Sequence, residues 1–391
     1  MNPSRIDHDR RKLCRLGLQG LSTLFIAPLT FTSHSIAATP LRLATAGALQ
    51  APDENGIRLP NGLVSRIVAH SGQNLFGYQW HAAPDGGATF STPDGGWIYV
   101  SNSERKNGKG GVGALRFSRQ GMLVDAYSIL QETDNNCAGG ATPWQTWLSC
   151  EETERGAVWE CDPFGKREPM VREALGRFKH EAVAVDTRTM QLYLTEDEPD
   201  GCLYRYTALQ LDSTGFPNLT TGQLEVMQII RNENNRVIWH PVRNPAANFQ
   251  PTRKQSSLAT HFNGGEGIWY HHGFIYFTTK GDNRVWELDT SRQILKIIYD
   301  ASQHPDPVLT GVDNITANAT GELLIAEDGG NMEIVILAAG MIKPLLQIIG
   351  QDHSEITGPA FSPDGSRLYF SSQRGISRRD QNGITYEISG F

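Results

Sequence analysis

One short pattern of polar and apolar positions recurs along most of the chain. Each copy opens on turn residues, continues with apolar and aromatic side chains, and closes on a dense group of polar side chains. The copies span residues 93–102, 144–152, 187–197, 271–279, 319–328 and 363–372. Short apolar stretches bounded by Gly, Pro and Asp are typical of β-strands. The pattern therefore predicts six strands that each end in polar residues.

The spacing of the copies predicts the architecture. Equivalent apolar positions are residues 99, 147, 193, 276, 324 and 369, so four intervals are 45–48 residues and one is 83. A period in this range predicts an all-β protein, a six-bladed β-propeller. The long interval then holds one blade plus an insertion within 208–262, between the third and fifth repeat strands. An array of β-sandwiches or a two-domain α+β protein fits the regular spacing less well. Residues 334–349 are predicted to form two strands around Gly340.

Residues 1–38 have the features of a twin-arginine-type export signal. Arg10 and Arg11 precede an interrupted apolar stretch, and small residues end at Ala38. That stretch is shorter than the roughly 20 residues that a membrane-spanning helix requires. An ordinary secretory signal is the alternative. Either signal predicts a periplasmic or secreted mature protein, residues 39–391, that forms a single propeller domain without a membrane span.

The composition limits the kinds of partner that the protein can bind. The chain has 391 residues with 40 Gly and 20 Pro, which suits many short strands joined by turns. A net charge of −7 disfavours a nucleic-acid partner, since phosphate backbones require a basic surface. We expect a monomer that acts on a small molecule. Cys137, Cys150, Cys161 and Cys202 remain after signal removal, and Cys150 with Cys161 is the first pair to test for a disulfide.

Polar residues flank each predicted pair of strands at matching positions. Those before the pair include Cys137, Glu181, Glu266, Asp313 with Asn314, and Thr357; those after it include Glu104, Glu151, Glu152, Asp197, Asp282, Glu327, Asp328 and Arg374. Equivalent positions of a closed ring surround one axis, so we expect roughly eight carboxylates at one mouth of the channel. Crowded carboxylates require cations. Oxygen ligands suit Ca²⁺ and a thiolate suits a transition metal, so a mixed metal centre is predicted.

Two blocks of sequence resemble a known family. Residues 135–144, Asn-Asn-Cys-Ala-Gly-Gly-Ala-Thr-Pro-Trp, run into Leu-Ser-Cys-Glu-Glu at 148–152 and resemble the hallmark of the PhoX-type alkaline phosphatases. Residues 175–181, Leu-Gly-Arg-Phe-Lys-His-Glu, resemble the second block of that family. Residues 195–198, 311–314 and 326–329 match later blocks less tightly. The resemblance covers nearly the whole mature chain and identifies it as a short member.

The resemblance implies a propeller with iron and calcium ions that hydrolyses phosphate monoesters. Carried over to this sequence, the iron-side ligands are Cys137, Glu152, Glu181 and Glu266. The candidates for the calcium side, or for contacts to it, are Glu151, Asp197, Asp313, Glu327 and Asp328.

The sequence departs from the family pattern beside one predicted ligand. Where the family has Arg-Pro-Glu, this chain has Gly264-Gly265-Glu266. The family's arginine binds the substrate phosphate, and glycine cannot replace a guanidinium. Lys280 or Arg374, each just after a predicted strand, is the candidate catalytic residue for the missing charge.

Three functions are consistent with these features. A PhoX-like metal-dependent phosphatase is the first, and the Cys137 block favours it. A Ca²⁺-dependent lactonase-like propeller hydrolase is the second. A non-catalytic, metal-stabilised periplasmic propeller that binds a partner is the third, and the loss of the arginine before Glu266 favours it.

Overall fold

The computed structural model describes residues 42–391, and the predicted export signal lies outside these residues. The described chain folds into β-strands and short 3₁₀ turns. No helix in it is long and apolar enough to cross a membrane. The 3₁₀ turns are Leu43–Thr45, Glu173–Leu175, Arg231–Glu233, Thr252–Lys254, Lys280–Asp282, Ala301–Gln303, Gly375–Ser377 and Asp380–Asn382.

The strands follow one another with short connections. In the first part of the chain they are β1 (Ile57–Arg58), β2 (Val64–His70), β3 (Asn74–Leu75), β4 (Tyr78–Gln79), β5 (Pro84–Ser91), β6 (Trp97–Ser103), β7 (Gly110–Phe117), β8 (Leu123–Thr133), β9 (Asn136–Ala141), β10 (Trp147–Glu151), β11 (Val158–Cys161) and β12 (Met170–Val171). Next come β13 (His180–Asp186), β14 (Gln191–Glu196), β15 (Leu203–Ala208), β16 (Gly222–Ile230), β17 (Arg236–Pro241), β18 (Gly265–His271), β19 (Phe274–Thr279), β20 (Arg284–Asp289) and β21 (Ile294–Asp300). The last are β22 (Val312–Ala317), β23 (Leu323–Glu327), β24 (Glu333–Ala338), β25 (Met341–Ile348), β26 (Ile356–Phe361), β27 (Arg367–Ser372) and β28 (Ile384–Ser389).

These strands form antiparallel meanders. Two sheets are β5–β8 and β9–β12, and a nine-stranded sheet joins β13–β17 to β18–β21 through a single pairing of β17 with β21. The early strands β1 and β2 complete the last two sheets, as outer neighbours of β25 and β28. Each end of the described chain therefore contributes to the same region of the fold, which ties the sheets into a closed arrangement.

The first strand of each meander lies at the centre. β5, β9, β13, β18, β22 and β26 contact one another in sequence, and β26 contacts β5. The second strands, β6, β10, β14, β19, β23 and β27, contain the six apolar positions of the sequence repeat. The all-β, propeller-like class is thus confirmed. The long interval contains β15, β16, β17 and an irregular segment before β18.

Glycine allows the central strands to approach closely. A Cβ atom on Gly140 of β9 would lie 1.9 Å from the carbonyl oxygen of Val183 in β13. One on Gly86 of β5 would lie 2.4 Å from the Cα of Ala138 in β9. Any side chain at these positions would force neighbouring strands apart, so the Gly-rich starts of the strands are a packing requirement of the ring.

The cysteines are all free in the described residues. Cys150 lies opposite Val158 on the ladder, whereas Cys161 lies opposite Trp147. Cys150 packs into the core between the β9–β12 sheet and the next sheet, and Cys161 packs into the core on the other side. Because the two side chains point to opposite faces of one sheet, Cys150 and Cys161, the first pair to test, do not form a disulfide. The two strands predicted around Gly340 are confirmed as β24 and β25.

Candidate metal centre

A β-bulge near the start of each central strand turns one residue toward the channel. In β9, for example, the register shifts so that two residues, Cys137 and Ala138, lie opposite Cys150 alone. A bulge of this kind turns its extra residue out of the regular alternation. The same shift occurs in the other five central strands. The first residues of the six bulges are Asp85, Cys137, Glu181, Glu266, Asp313 and Gly358.

A second set of side chains comes from the ends of the second strands. The residue directly after each of these strands is Glu104, Glu152, Asp197, Lys280, Asp328 or Gln373. Successive side chains of an extended strand point to opposite sides. The last residue of each second strand therefore points between the packed sheets, and the residue that follows the strand points toward the bulges.

Three groups of candidate ligands form a continuous array. They are Cys137 with Glu152 and Glu181, then Glu181 with Glu266 and Asp313, and finally Asp313 with Asp328 and Glu355. Within each group the ligand atoms lie within 4.8 Å of one another. Because Glu181 and Asp313 each belong to two groups, the array is continuous across the channel mouth.

Two oxygen atoms of this array have no hydrogen-bond partner. Oε2 of Glu181 and Oε1 of Glu266 are both buried, and of the two only Oε1 of Glu266 has an ion-pair partner, the Nζ of Lys280 at 3.2 Å. An unsatisfied buried acceptor costs about 1–3 kcal/mol, and more for a charged group. The Sγ of Cys137 lies 3.2 Å from Oε1 of Glu181. A thiol beside buried carboxylate oxygens is a donor set that fits metal ions.

Burial and mutual repulsion perturb these groups strongly. Burial, together with the charge of Glu266, raises the pKa of Glu181 well above its usual range, and burial with Asp313 does the same to the pKa of Glu266. Burial likewise raises the pKa of the Cys137 thiol. It raises the pKa of Asp313 to about 6, although Lys280 opposes the shift. Bound cations would reverse these shifts by stabilising the ionised forms.

Three basic side chains lie among the acids. The Nζ of Lys179 is 2.8 Å from Glu152 and 2.7 Å from Asp197. The Nζ of Lys280 is 3.2 Å from Glu266, 3.4 Å from Asp313 and 3.1 Å from Asp328. The guanidinium of Arg374 pairs with Glu355 and lies 3.8 Å from Glu104. The site contains nine carboxylates, those of Asp85, Glu104, Glu152, Glu181, Asp197, Glu266, Asp313, Asp328 and Glu355, so its own basic residues leave a large negative excess.

Two predicted ligands use their carboxylates elsewhere. Glu151 accepts hydrogen bonds from the backbone amides of Asp134 and Ala157. Glu327 accepts from the amides of Thr310 and Glu333. Both are last residues of second strands, which explains why they point away from the bulges. Their metal binding remains a prediction that these contacts do not favour.

The predicted metal ligands omitted three acids of the site, although Glu104 was among the polar residues expected at the channel mouth. Asp85 occupies the first bulge, and Oδ2 of Asp85 and Oε2 of Glu104 both accept hydrogen bonds from Nε2 of Gln373, at 2.6 and 2.8 Å. Glu355 directly precedes β26. Asp85 is followed by two glycines, and the Cys137 block also contains two glycines. This shared feature of the sequence could have identified Asp85. Glu104 follows the first repeat copy at the position that Glu152 has in the second.

Neighbouring sheets fix the backbone of several bulges. Nδ2 of Asn102 in β6 donates to the carbonyl oxygen of Cys137, at 3.0 Å. Oγ1 of Thr195 in β14 donates to the carbonyl oxygen of Glu266, and Oγ1 of Thr278 in β19 donates to that of Asp313, both at 2.6 Å. Each donor is the penultimate residue of a second strand, so one meander positions the candidate ligand of the next.

Gly264 lies against two acids of the site. It has a φ of +70°, a conformation that favours glycine, and its carbonyl oxygen accepts a hydrogen bond from the amide of Lys280. A Cβ atom on Gly264 would lie 3.2 Å from Oδ1 of Asp197 and 3.7 Å from Oε1 of Glu266. A side chain at this position would project directly over the acids.

Comparisons with known proteins agree with this geometry. The family model described as Alkaline phosphatase PhoX matches residues 125–160 and 153–296, somewhat less than half of the chain. A search of curated proteins finds no match. The structure of Pseudomonas fluorescens PhoX in complex with vanadate is 18% identical, with a TM-score of 0.71, and the match covers 89% of this chain and 98% of that one.

Two further solved structures are more distant. A protein of unknown function from Bacteroides thetaiotaomicron is 11% identical, with a TM-score of 0.50 and coverage of 88% and 84% of the two chains. The gluconolactonase XC5397 from Xanthomonas campestris is 13% identical, with a TM-score of 0.49 and coverage of 90% and 99%. The family match confirms that residues 125–296 resemble the PhoX-type alkaline phosphatases, and the likeness to P. fluorescens PhoX shows that the two proteins share a fold.

Proposed function

We propose that the protein is a metal-dependent hydrolase of phosphate monoesters that uses the acidic array at the channel mouth. The observation that carries the proposal is the continuous set of candidate ligands from Cys137 to Glu355, in which buried oxygens of Glu181 and Glu266 accept no hydrogen bond. The related structure of P. fluorescens PhoX contains vanadate, a transition state analogue. A phosphate-like ligand in a protein of the same fold supports phosphate chemistry for this chain.

The types of donor atom support iron on one side of the array and calcium on the other. We assign iron to the side of Cys137, Glu152, Glu181 and Glu266, because a thiolate favours a transition metal. We assign calcium to the side of Asp313 and Asp328, where only oxygen donors occur, with Glu355 as an added candidate. When bound, these ions would supply positive charge at the phosphate oxygens and a lowered pKa of water.

The chain's own residues would bind and orient the ester. Lys280 extends its ammonium group into the array, and Arg374 extends its guanidinium group beside Glu104 and Glu355. Either can neutralise charge on the substrate. The sheets on both sides restrict solvent access to the buried carboxylates of Glu181 and Glu266.

The wider setting of the site is part of the proposal. We count the nine-stranded sheet as two blades, which gives a six-bladed propeller, and we place the insertion within 208–262. We also propose export through the signal at residues 1–38, a mature domain of residues 39–391, a periplasmic or secreted location, and a monomeric state.

Metal analysis and a phosphatase assay test the proposal together. We expect the purified mature protein to contain both iron and calcium and to hydrolyse p-nitrophenyl phosphate. Cys137→Ala and Glu266→Gln should remove metal and reduce hydrolysis by at least 100-fold, since each removes a ligand of the array. Glu154→Gln is the matched control, because Glu154 is exposed and only two residues from Glu152.

Two results would contradict the proposal. Absence of stoichiometric metal would exclude the metal-dependent mechanism. Hydrolysis by the wild type no faster than by Cys137→Ala, with metal supplied, would exclude the phosphatase activity. Metal binding and phosphate binding without hydrolysis would favour the non-catalytic function, which the missing arginine at Gly264 supports.

A further inference from the structure

The irregular segment of residues 242–264, between β17 and β18, packs against the end of β14. A guanidinium from this segment, that of Arg253, donates from Nη1 to Oε1 of Glu196, the last residue of β14, at 3.0 Å. Nε of Arg253 also donates to Asp200 at 3.0 Å, and its Nη2 lies 3.7 Å from Glu198. One side chain of the segment therefore contacts the end of β14 and the loop that follows it.

Glu196 is a fully buried carboxylate whose two oxygens both accept hydrogen bonds. Oε2 accepts from the hydroxyl group of Tyr204 at 2.8 Å and from the backbone amide of Cys202 at 3.1 Å. Within the described part of the chain, Arg253 is its one cationic partner. Because a buried carboxylate without a counter-charge is costly, loss of Arg253 would force Glu196 out of this arrangement.

Thr195, directly before Glu196, binds the backbone of two bulges. Its Oγ1 donates to the carbonyl oxygen of Glu266 at 2.6 Å and accepts from the amide of Ala182 at 3.1 Å. Ala182 directly follows Glu181, so a single hydroxyl group contacts the bulge of β18 and that of β13. A shift at the end of β14 would therefore displace both of these candidate ligands.

Asp197, directly after Glu196, belongs to the site itself. Successive side chains of an extended strand point to opposite sides, so Asp197 points toward the acids only while Glu196 points away from them. Oδ2 of Asp197 accepts from the Nζ of Lys179 at 2.7 Å, and the same Nζ lies 2.8 Å from Glu152. A third candidate ligand is thus connected to the end of β14.

We propose that Arg253 is a positioning residue of the metal centre and acts on its ligands through Glu196. The inference rests on the proposed function, and it gives the irregular segment 242–264 a role in the same site. The ligands that depend on Arg253 lie on the Cys137 side of the array and are Glu152, Glu181 and Glu266.

The ligands on the calcium side are held by other strands. The carbonyl oxygen of Asp313 accepts a hydrogen bond from Thr278 of β19, and Asp328 directly follows β23. Loss of Arg253 should therefore weaken the binding of iron much more than that of calcium. A general loss of stability would weaken both.

Retention of metal against a chelator tests this selectivity. Arg253→Gln should lower the affinity for iron by about 10–100-fold, the usual effect of losing a residue that supports a metal ligand, and should leave the affinity for calcium within about threefold. Arg243→Gln is the matched control, because Arg243 belongs to the same segment, is exposed and forms no ion pair in the described residues. It should bind both metals within about twofold of the wild type.

The variants Glu196→Gln and Arg253→Gln/Glu196→Gln test the route through Glu196. Removing one partner of a buried ion pair leaves the other charge unpaired, whereas replacing both removes that charge. The double variant should therefore bind iron within about threefold of Glu196→Gln, and more tightly than Arg253→Gln. It contains no unpaired charge at Glu196, so its comparison with Glu196→Gln decides the route even if Arg253→Gln does not fold.

Hydrogen exchange of the metal-free protein gives a readout that does not depend on metal. The amides of residues 195–202 should exchange about tenfold faster in Arg253→Gln than in the wild type, because a charge-assisted hydrogen bond that holds them is lost. The double variant should exchange more slowly than Arg253→Gln, and Arg243→Gln should match the wild type.

Three results would overturn the inference. The first is retention of iron by Arg253→Gln equal to that of Arg243→Gln. The second is a loss of iron and calcium to the same extent. The third is a double variant that loses iron as strongly as Arg253→Gln, or exchanges as fast.

The outcome also separates this inference from the proposed function. Iron binding that depends on Arg253, without hydrolysis of p-nitrophenyl phosphate by the wild type, would refute the phosphatase and leave the inference intact. Hydrolysis and metal content of Arg253→Gln equal to those of an active wild type would refute the inference and leave the phosphatase intact.

Discussion

Replacing Glu181 by Gln should affect the metal-free and the metal-loaded protein in opposite directions. Glu181 is fully buried, one of its oxygens has no partner, and it belongs to two of the three ligand groups. Without metal, its carboxylate is a net cost to folding. With metal, the same carboxylate is a ligand. Glu181→Gln should therefore stabilise the metal-free protein and weaken the stabilisation that metal provides.

The magnitude follows from the separation of the charges. Two ionised carboxylates 4.8 Å apart repel each other by about 3.5 kcal/mol at an effective dielectric constant of 20. Protonation sets an upper limit on the total cost of keeping Glu181 ionised, because neutralising a carboxyl group of ordinary pKa at pH 8 costs about 5 kcal/mol. Water penetration and side-chain movement reduce both values. We expect Glu181→Gln to raise the free energy of unfolding of metal-free protein by about 1–3 kcal/mol.

Urea denaturation with and without a chelator measures both effects. In saturating metal this gain should be offset or reversed, because a 100-fold loss of metal affinity removes about 2.7 kcal/mol of stabilisation. Glu154→Gln, at an exposed position, should change neither curve by more than about 0.5 kcal/mol. A loss of stability of more than about 1 kcal/mol for metal-free Glu181→Gln would refute the electrostatic reasoning.

Two further predictions concern packing and the roles of adjacent acids. Gly140→Ala should lower the free energy of unfolding by about 3 kcal/mol, because its Cβ would lie 1.9 Å from the Val183 carbonyl oxygen. Gly47→Ala is the control and should be neutral, since nothing lies within 4 Å of its Cβ. Thermal or urea unfolding measures both. Equal stabilities would contradict the close approach of the central strands. Glu327→Gln should lose about 1–3 kcal/mol of stability and keep its metal, because its side chain cannot accept from both backbone amides that Glu327 binds, one of which is buried. Asp328→Asn should instead lose metal and keep its stability. Metal analysis and unfolding curves of both variants test this, and the opposite pattern would contradict the assigned roles.

The sequence predicted the parts of the fold that repeat. The apolar positions from Tyr99 to Tyr369 mark second strands, because these strands are buried on both faces and must be apolar in every sheet. The outer strands carry a weaker pattern, since they are partly exposed. The irregular segment before β18 has no periodic signal, which is why the long interval could be assigned only an insertion.

The site was less predictable because it depends on single-residue register. Glu151 and Glu152 are chemically identical, and only the position at which β10 ends decides which one faces the channel. The same holds for Glu327 and Asp328 at the end of β23. The end of a strand varies by a residue or two with local hydrogen bonding. Because successive side chains point to opposite faces, an error of one residue in the strand end reverses the predicted direction of a side chain.

Contacts between sheets add a constraint that no local pattern contains. The bulge that presents Cys137 is hydrogen-bonded by Asn102, which also accepts hydrogen bonds from Trp147 and Ser149, at 2.9 Å each. One buried amide thus joins the end of β6 to the start of β9 and to β10. Since an unpaired buried polar group is costly, the position of Asn102 is coupled to the position of the thiol. The thiol of Cys137 therefore takes its position from contacts between two adjacent sheets, which the sequence around Cys137 does not contain.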